Sequence, residues 1–170
     1  MKFNLSDFGK HKNFAPLSLT KPIACLRIGI YTNVERYASY LPEADIGYET
    51  EDYLADKYPS VDCDLTINAS VLPNPDFIAA ILHLEDNQSL YAEKVLLAKK
   101  GNGNEVIKFT GTALIIVEER WDMFQKNASV LHLDFIQATK DRETQELSSS
   151  NLLIGPKNNL FIEEGASIEG

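Results

Sequence analysis

Apolar positions along this chain recur with two different periods, and the switches between them mark out its elements. Residues 2–5 read as a first strand, ended by the turn-forming run Ser6-Asp7-Phe8-Gly9. A polar loop, Lys10-His11-Lys12-Asn13, follows. The first helix opens at Thr32, because Thr32-Asn33-Val34-Glu35 is a capping box in which each end's side chain satisfies the other's backbone donor. Val34, Tyr37, Ala38 and Leu41 then fall at i, i+3, i+4 and i+7, and Pro42 stops the run. A short strand is predicted over residues 45–48. Thr50, followed by Glu51 and Asp52, is expected to cap a second helix that Pro59 closes. Residues 63–68 read as a buried strand. Asn74-Pro75 opens a third helix, with Phe77, Ile78, Ile81 and Leu82 on its buried side.

The second half continues the alternation. Residues 89–98 form two apolar stretches around Glu93-Lys94, the pattern of a hairpin. After a Gly-Asn loop at 101–104, strands are predicted over 106–109 and 114–117. Val117, Trp121 and Phe124 form a stripe that predicts a helix to about Lys126, and a further helix is predicted over 130–139. The polar run 140–151 reads as a linker. Strands alternating with helices imply an α/β domain with a mostly parallel sheet. Ligands of such sheets bind at the carboxyl ends of strands, which singles out the loops after Leu5 and Ile67.

From Leu153 the text changes to L-I-G-P-K-N-N-L-F-I-E-E-G-A-S-I-E-G. Ile162 and Ile168 stand six apart, the spacing of a hexapeptide β-helix. A C-terminal strand or hairpin of the α/β domain is the other reading. The division expected is an α/β domain over 1–150 and the beginning of a β-helix over 151–170, cut off before its coils can stack.

Composition narrows the function. A hydrophobic fraction of 44% over 170 residues supports a real core. A net charge of -9 speaks against a nucleic-acid partner. No apolar run reaches membrane-spanning length, so the expected location is the cytoplasm and no membrane partner is expected. Cys25 and Cys63 lie in apolar settings without a CxxC or Cys/His cluster and read as buried free thiols. His11, His83 and His132 show no recognisable partner.

An ordered series of short motifs carries a resemblance. Leu17-Ser18-Leu19-Thr20-Lys21-Pro22-Ile23-Ala24 leads into Leu26-Arg27-Ile28-Gly29-Ile30. Thr50-Glu51-Asp52-Tyr53-Leu54 with Lys57 comes next, then Ile67-Asn68 with Val71-Leu72-Pro73-Asn74, Trp121-Asp122-Met123-Phe124 and Ile154-Gly155-Pro156. The set resembles an atypical family, typical of Bacteroidetes, of UDP-N-acetylglucosamine diphosphorylase/glucosamine-1-phosphate N-acetyltransferase-like proteins. The resemblance implies a Rossmann-like nucleotide-diphospho-sugar transferase domain followed by a left-handed β-helix. It implies transfer from a nucleoside triphosphate, UTP foremost, to a sugar 1-phosphate, aided by Mg²⁺. With the β-helix essentially missing, no acetyltransferase activity is expected. The trimer contacts of that half go with it, leaving a monomer or dimer.

Where the standard family has a Gly-rich loop, this chain has Asp7-Phe8-Gly9-Lys10-His11-Lys12, with a single glycine. Lys10 and Lys12 can act there as point charges or stand as a solvated basic loop. Thr20-Lys21-Pro22 occupies the place of the basic, proline-flanked segment. Lys21 is the first phosphate-binding candidate, Thr20 stands beside it, and Arg27 is a candidate whose other reading is a structural ion pair. Asn68-Ala69-Ser70 occupies the place of N-G-D, so Ser70 replaces the metal-binding aspartate. A serine hydroxyl is a weak ligand for Mg²⁺, which prefers carboxylates. Asp7 is the substitute carboxylate, or a turn residue. These departures leave open a second role, a catalytically degenerate domain that binds nucleotide or sugar nucleotide or docks on and regulates the β-helix half.

Overall fold

The computed structural model describes residues 1–168. In chain order its elements are β1 (Lys2–Ser6), a short ribbon of β2 (Arg27–Ile28) and β3 (Tyr31–Thr32), α1 (Asn33–Tyr40), β4 (Asp45–Glu49), β5 (Leu65–Asn68), α2 (Pro75–Leu82), β6 (Gln88–Ala92), β7 (Val95–Lys100), β8 (Glu105–Lys108), α3 (Asp122–Gln125) and α4 (Asn127–Thr139). The main sheet has the order β4-β1-β5-β7-β6-β8. β4, β1 and β5 run parallel, β7 is antiparallel to β5 and β6, and β8 is parallel to β6. This is a mixed α/β architecture, consistent with a Rossmann-like fold.

The neighbouring parallel strands β1 and β5 carry opposite chemistry on their two faces. Phe3, Leu5 and Ile67 are fully buried and share a core with Tyr37 of α1, Phe77 and Ile81 of α2 and Val130 of α4. Each such side chain contributes about 1.5–3 kcal/mol on burial. The alternate residues Asn4, Ser6, Thr66 and Asn68 are also buried. Buried polar groups need partners, and Asn4 finds them in the β4–β5 connection. Its Nδ2 donates to Val61 O and its Oδ1 accepts from Val61 N, both at 2.9 Å. That connection passes so near β4 that a Cβ on Gly47 would run into Val61 N and Asn4 Oδ1.

α4 is held by a polar anchor. Only Val130 and Asp134 are buried on it. Asp134 Oδ1 accepts from Arg36 Nε at 3.0 Å, and its Oδ2 accepts from a guanidinium nitrogen of Arg36 at 2.5 Å and from Ile30 N at 2.9 Å. Gly29, with φ +69°, lies against this pair, and a Cβ there would run into Asp134 Oδ2.

Several expectations hold. The capping box at Thr32 is complete, and Asn74 caps α2 with Pro75 behind it. The hairpin forms as β6 and β7. Others need correction. The helix expected after Thr50 is a single 3-10 turn, Asp52–Leu54. The Thr50 hydroxyl donates to Asp7 Oδ2 at 2.6 Å instead of capping. The strand expected at 114–117 is one isolated bridge, Val71 to Ile116. The stripe ending at Trp121 and Phe124 is exposed, Phe124 to 71%, and only the four residues of α3 are helical there. Leu82 and Ala38 face solvent, while Arg36 takes the buried place on α1 because Asp134 neutralises it. Both cysteines are half-buried rather than buried.

Among the described residues of the tail, 151–168, there is no strand, and a 3-10 turn spans Lys157–Asn159. Residues 169 and 170 of the expected β-helix segment lie outside the described residues. The presumed linker pairs with the tail: Gln145 N donates to Ile162 O at 2.9 Å, and Ile162 N to Thr144 Oγ1 at 2.7 Å. No helix among the described residues is long and apolar enough to cross a membrane.

Candidate functional site

Because β1, β4 and β5 are parallel, their carboxyl ends share one edge of the sheet. Asp7, Thr50 and Ala69-Ser70 follow those ends directly. Asp7 is 3% exposed and both its oxygens are engaged. Oδ1 accepts from Ile23 N at 3.0 Å; Oδ2 accepts from the Thr50 hydroxyl and faces His11 Nδ1 at 2.7 Å. The far nitrogen of the ring, Nε2, lies 3.2 Å from the Tyr53 hydroxyl. His11 is therefore paired on both sides, contrary to the expectation that it has no partner. The turn through Phe8 and Gly9 brings it back onto Asp7.

The bond from Ile23 N to Asp7 ties the Thr20–Cys25 segment to the end of β1. The amino end of the 3-10 turn Ile23–Cys25 thus already holds a carboxylate. Lys21, two residues earlier, lines a cleft of about 380 Å³ with Leu17, Cys25, Arg27, Thr32 and Met123. Lys21 is half-buried and engages no carboxylate among the described residues. Arg27 is exposed, donates to Ile30 O, and lies 3.3 Å from Glu35 Oε1. Burial pushes the Cys25 thiol up, with a hydrogen bond to Tyr48 and the Lys21 charge opposing, so the thiol is neutral near pH 7.

The other candidates are distributed differently. Lys10 is paired with Glu118. Lys12 and Thr20 are exposed and stand outside the lining of the Lys21 cleft. Asn68 is buried and structural: its Nδ2 donates to Leu96 O at 2.8 Å and its Oδ1 accepts from Ser70 N at 2.9 Å. Ser70 is 1% exposed and its hydroxyl has no hydrogen-bond partner among the described residues. The loop after β1 and the Lys21 segment therefore converge, while the residues after β5 lie beneath them.

The residues present do not fit a protein-held Mg²⁺. The ion demands near-octahedral oxygen ligation, usually with at least one carboxylate. Among the described residues no group of three or more His, Cys, Asp or Glu could hold a metal ion. Both oxygens of Asp7 are engaged, by Ile23 N, the Thr50 hydroxyl and His11, and Ser70 is buried.

Three residues of this region escaped sequence reasoning. His11 had a usable signal, an aspartate four residues earlier across a glycine turn. Thr50 was read as a cap because its local sequence is that of one. Asn33 had no signal, since its partners, Ala69 O and Val71 O at 2.7 and 2.8 Å, lie far along the chain.

No curated protein matches this sequence. A family model described as sugar nucleotidyl transferase matches residues 4–143, from β1 through the end of α4 and just beyond it. That stretch is most of the chain and contains the Lys21 cleft and all of the sheet but Lys2 and Phe3 of β1, and the chain belongs to the sugar nucleotidyl transferase family.

Proposed function

We propose that the Lys21–Arg27 cleft binds the phosphates of a nucleoside triphosphate, UTP foremost, and that the domain transfers its nucleotidyl group to a sugar 1-phosphate. The observation that carries this is the convergence of two cations on one cleft beside the carboxyl ends of the parallel strands, in a chain of this family. The reaction joins a sugar-phosphate oxygen to the α-phosphorus and releases pyrophosphate. Its charge sits on phosphate oxygens, so positioned cations do most of what a protein can do for it. Lys21 supplies an ammonium that pairs with no carboxylate among the described residues. Arg27 is tethered to Glu35 only weakly and at the surface, where such pairs are worth about 0–1 kcal/mol, so a phosphate competes for it readily.

The motif series further supports UDP-N-acetylglucosamine as the product and a bifunctional protein whose β-helix half transfers an acyl group, and we place that protein in the cytoplasm. Pyrophosphate release, followed with UTP and a panel of sugar 1-phosphates in the presence and absence of Mg²⁺, tests the reading. Turnover abolished by Lys21→Ala is the expected result, and silence in every combination overturns it. The missing glycine loop and the absence of a carboxylate cage among the described residues favour a second reading, binding without catalysis. Saturable UTP binding by calorimetry with no pyrophosphate release selects it.

A further inference from the structure

Behind the Lys21 cleft lies a small void of about 10 Å³, lined by Ser70, Asn33 and apolar side chains. Leu26 and Met123 stand in the walls of both spaces, so one layer of side chains separates them. Ser70 Oγ and Asn33 Oδ1 are both buried without a hydrogen-bond partner, and among the described residues they are the only such side-chain atoms.

Their surroundings are otherwise fully bonded. Asn33 Nδ2 donates to Ala69 O and Val71 O, which bracket Ser70. Ser70 N donates to Asn68 Oδ1, and Ser70 O accepts from Val117 N at 2.9 Å. Because both hydrogens of the Asn33 amide are committed to carbonyls, its oxygen is held in place as a bare acceptor. A buried polar atom left unpaired is costly, and native structures rarely tolerate one without a reason. Here two such atoms belong to residues lining one void, and the Asn33 amide is fixed by its two donated bonds.

Resting on the reading of the Lys21 cleft given above, we infer that Ser70 and Asn33 form a subsite for a single hydroxyl group of the sugar phosphate, reached when the Met123 side chain swings aside. The void has room for about one oxygen-sized group. Asn33 Oδ1 accepts only, whereas Ser70 both donates and accepts. A sugar hydroxyl answers both: its O–H goes to Asn33 and its lone pair takes the Ser70 proton. An ionised phosphate oxygen offers Asn33 no proton, and no cationic side chain lines the void to hold its charge. Methionine is the flexible residue that such a partition needs. Charge is thus read at Lys21 and Arg27, and the sugar is read in the void.

Calorimetry on the whole chain tests this with inorganic phosphate, glucose 1-phosphate and N-acetylglucosamine 1-phosphate. Wild-type protein is expected to bind at least one sugar phosphate more tightly than inorganic phosphate. Ser70→Ala should lower that sugar-phosphate affinity about tenfold, which is about 1.4 kcal/mol, and leave inorganic phosphate unchanged. Ser70→Thr keeps the hydroxyl but fills the void with a methyl group, and should lose at least as much; it serves if the alanine variant fails to fold. If inorganic phosphate binds and both variants hold the sugar phosphates as tightly as wild type, the subsite is overturned while the cleft reading stands. If wild type binds neither phosphate nor sugar phosphate, the cleft reading fails and the subsite with it. A complex in which a water, not a sugar oxygen, bridges Asn33 and Ser70 also overturns it.

Discussion

Two buried polar regions at the same edge of the sheet differ in one respect. Around Asp7, every strong acceptor is used: Ile23 N, the Thr50 hydroxyl and His11 all converge on one carboxylate. The Arg36–Asp134 pair that anchors α4 is equally complete. Around Ser70 the backbone is just as thoroughly bonded, yet the hydroxyl and the neighbouring Asn33 oxygen are left over. Complete networks specify geometry, and each here joins segments far apart in the chain. The incomplete network is where we place the sugar-hydroxyl subsite. The difference separates residues that position this site from residues that await a ligand, although all of them are polar and nearly all lie within a few residues of a strand end or of α1.

The largest effect belongs to the most buried complete network. Asp134→Ala strands the Arg36 guanidinium in the interior, and should cost about 3–5 kcal/mol in urea unfolding. A loss below 1 kcal/mol would show that α4 is not held by this pair. Asp7→Asn places an amide where three donors converge, and is expected to cost about 1–3 kcal/mol. It should also weaken phosphate binding in the Lys21 cleft, because Ile23 loses its anchor; unchanged affinity would detach Asp7 from the site.

The exposed capping box gives a smaller effect. Thr32→Ala should cost about 1 kcal/mol. The Thr32 N–H donated to Glu35 holds its carboxyl below the ordinary value of 4.5. A carboxylate with a depressed folded value stabilises above its unfolded value and loses that contribution as pH falls through the folded one. Denaturation midpoints should therefore show the Glu35 contribution above pH 4.5 and its loss on further acidification, with Glu35→Gln lacking that dependence. The smallest effect is the one whose sign matters most. Ser70→Ala removes a hydroxyl that has no partner, so the melting temperature should stay level or rise. A fall comparable to that of Asp7→Asn would erase the distinction between the two regions.

Local chemistry made much of the frame legible. The capping box at Thr32 and the Asn74-Pro75 start of α2 are read within a few residues, and the structure has both. Lys21 and Arg27 were legible as cations in a motif, and they do share a cleft. Thr50 shows the limit. Its sequence context is that of a helix cap, but a buried carboxylate from another strand outcompetes the local donors. The stripe breaks after Val117, which is buried, while Trp121 and Phe124 are exposed.

By itself, then, the sequence determined the strands and helices whose signals are local, the order of the motifs, and the broad sugar nucleotidyl transferase family. Tertiary structure alone decided that His11 and Thr50 close on Asp7, that Arg36 is buried against Asp134, and that Ser70 and Asn33 face one void. Each of these rests on the balance between desolvating a polar group and finding it a partner. The partner comes from wherever the fold brings two distant segments together, and no local pattern of residues records that meeting.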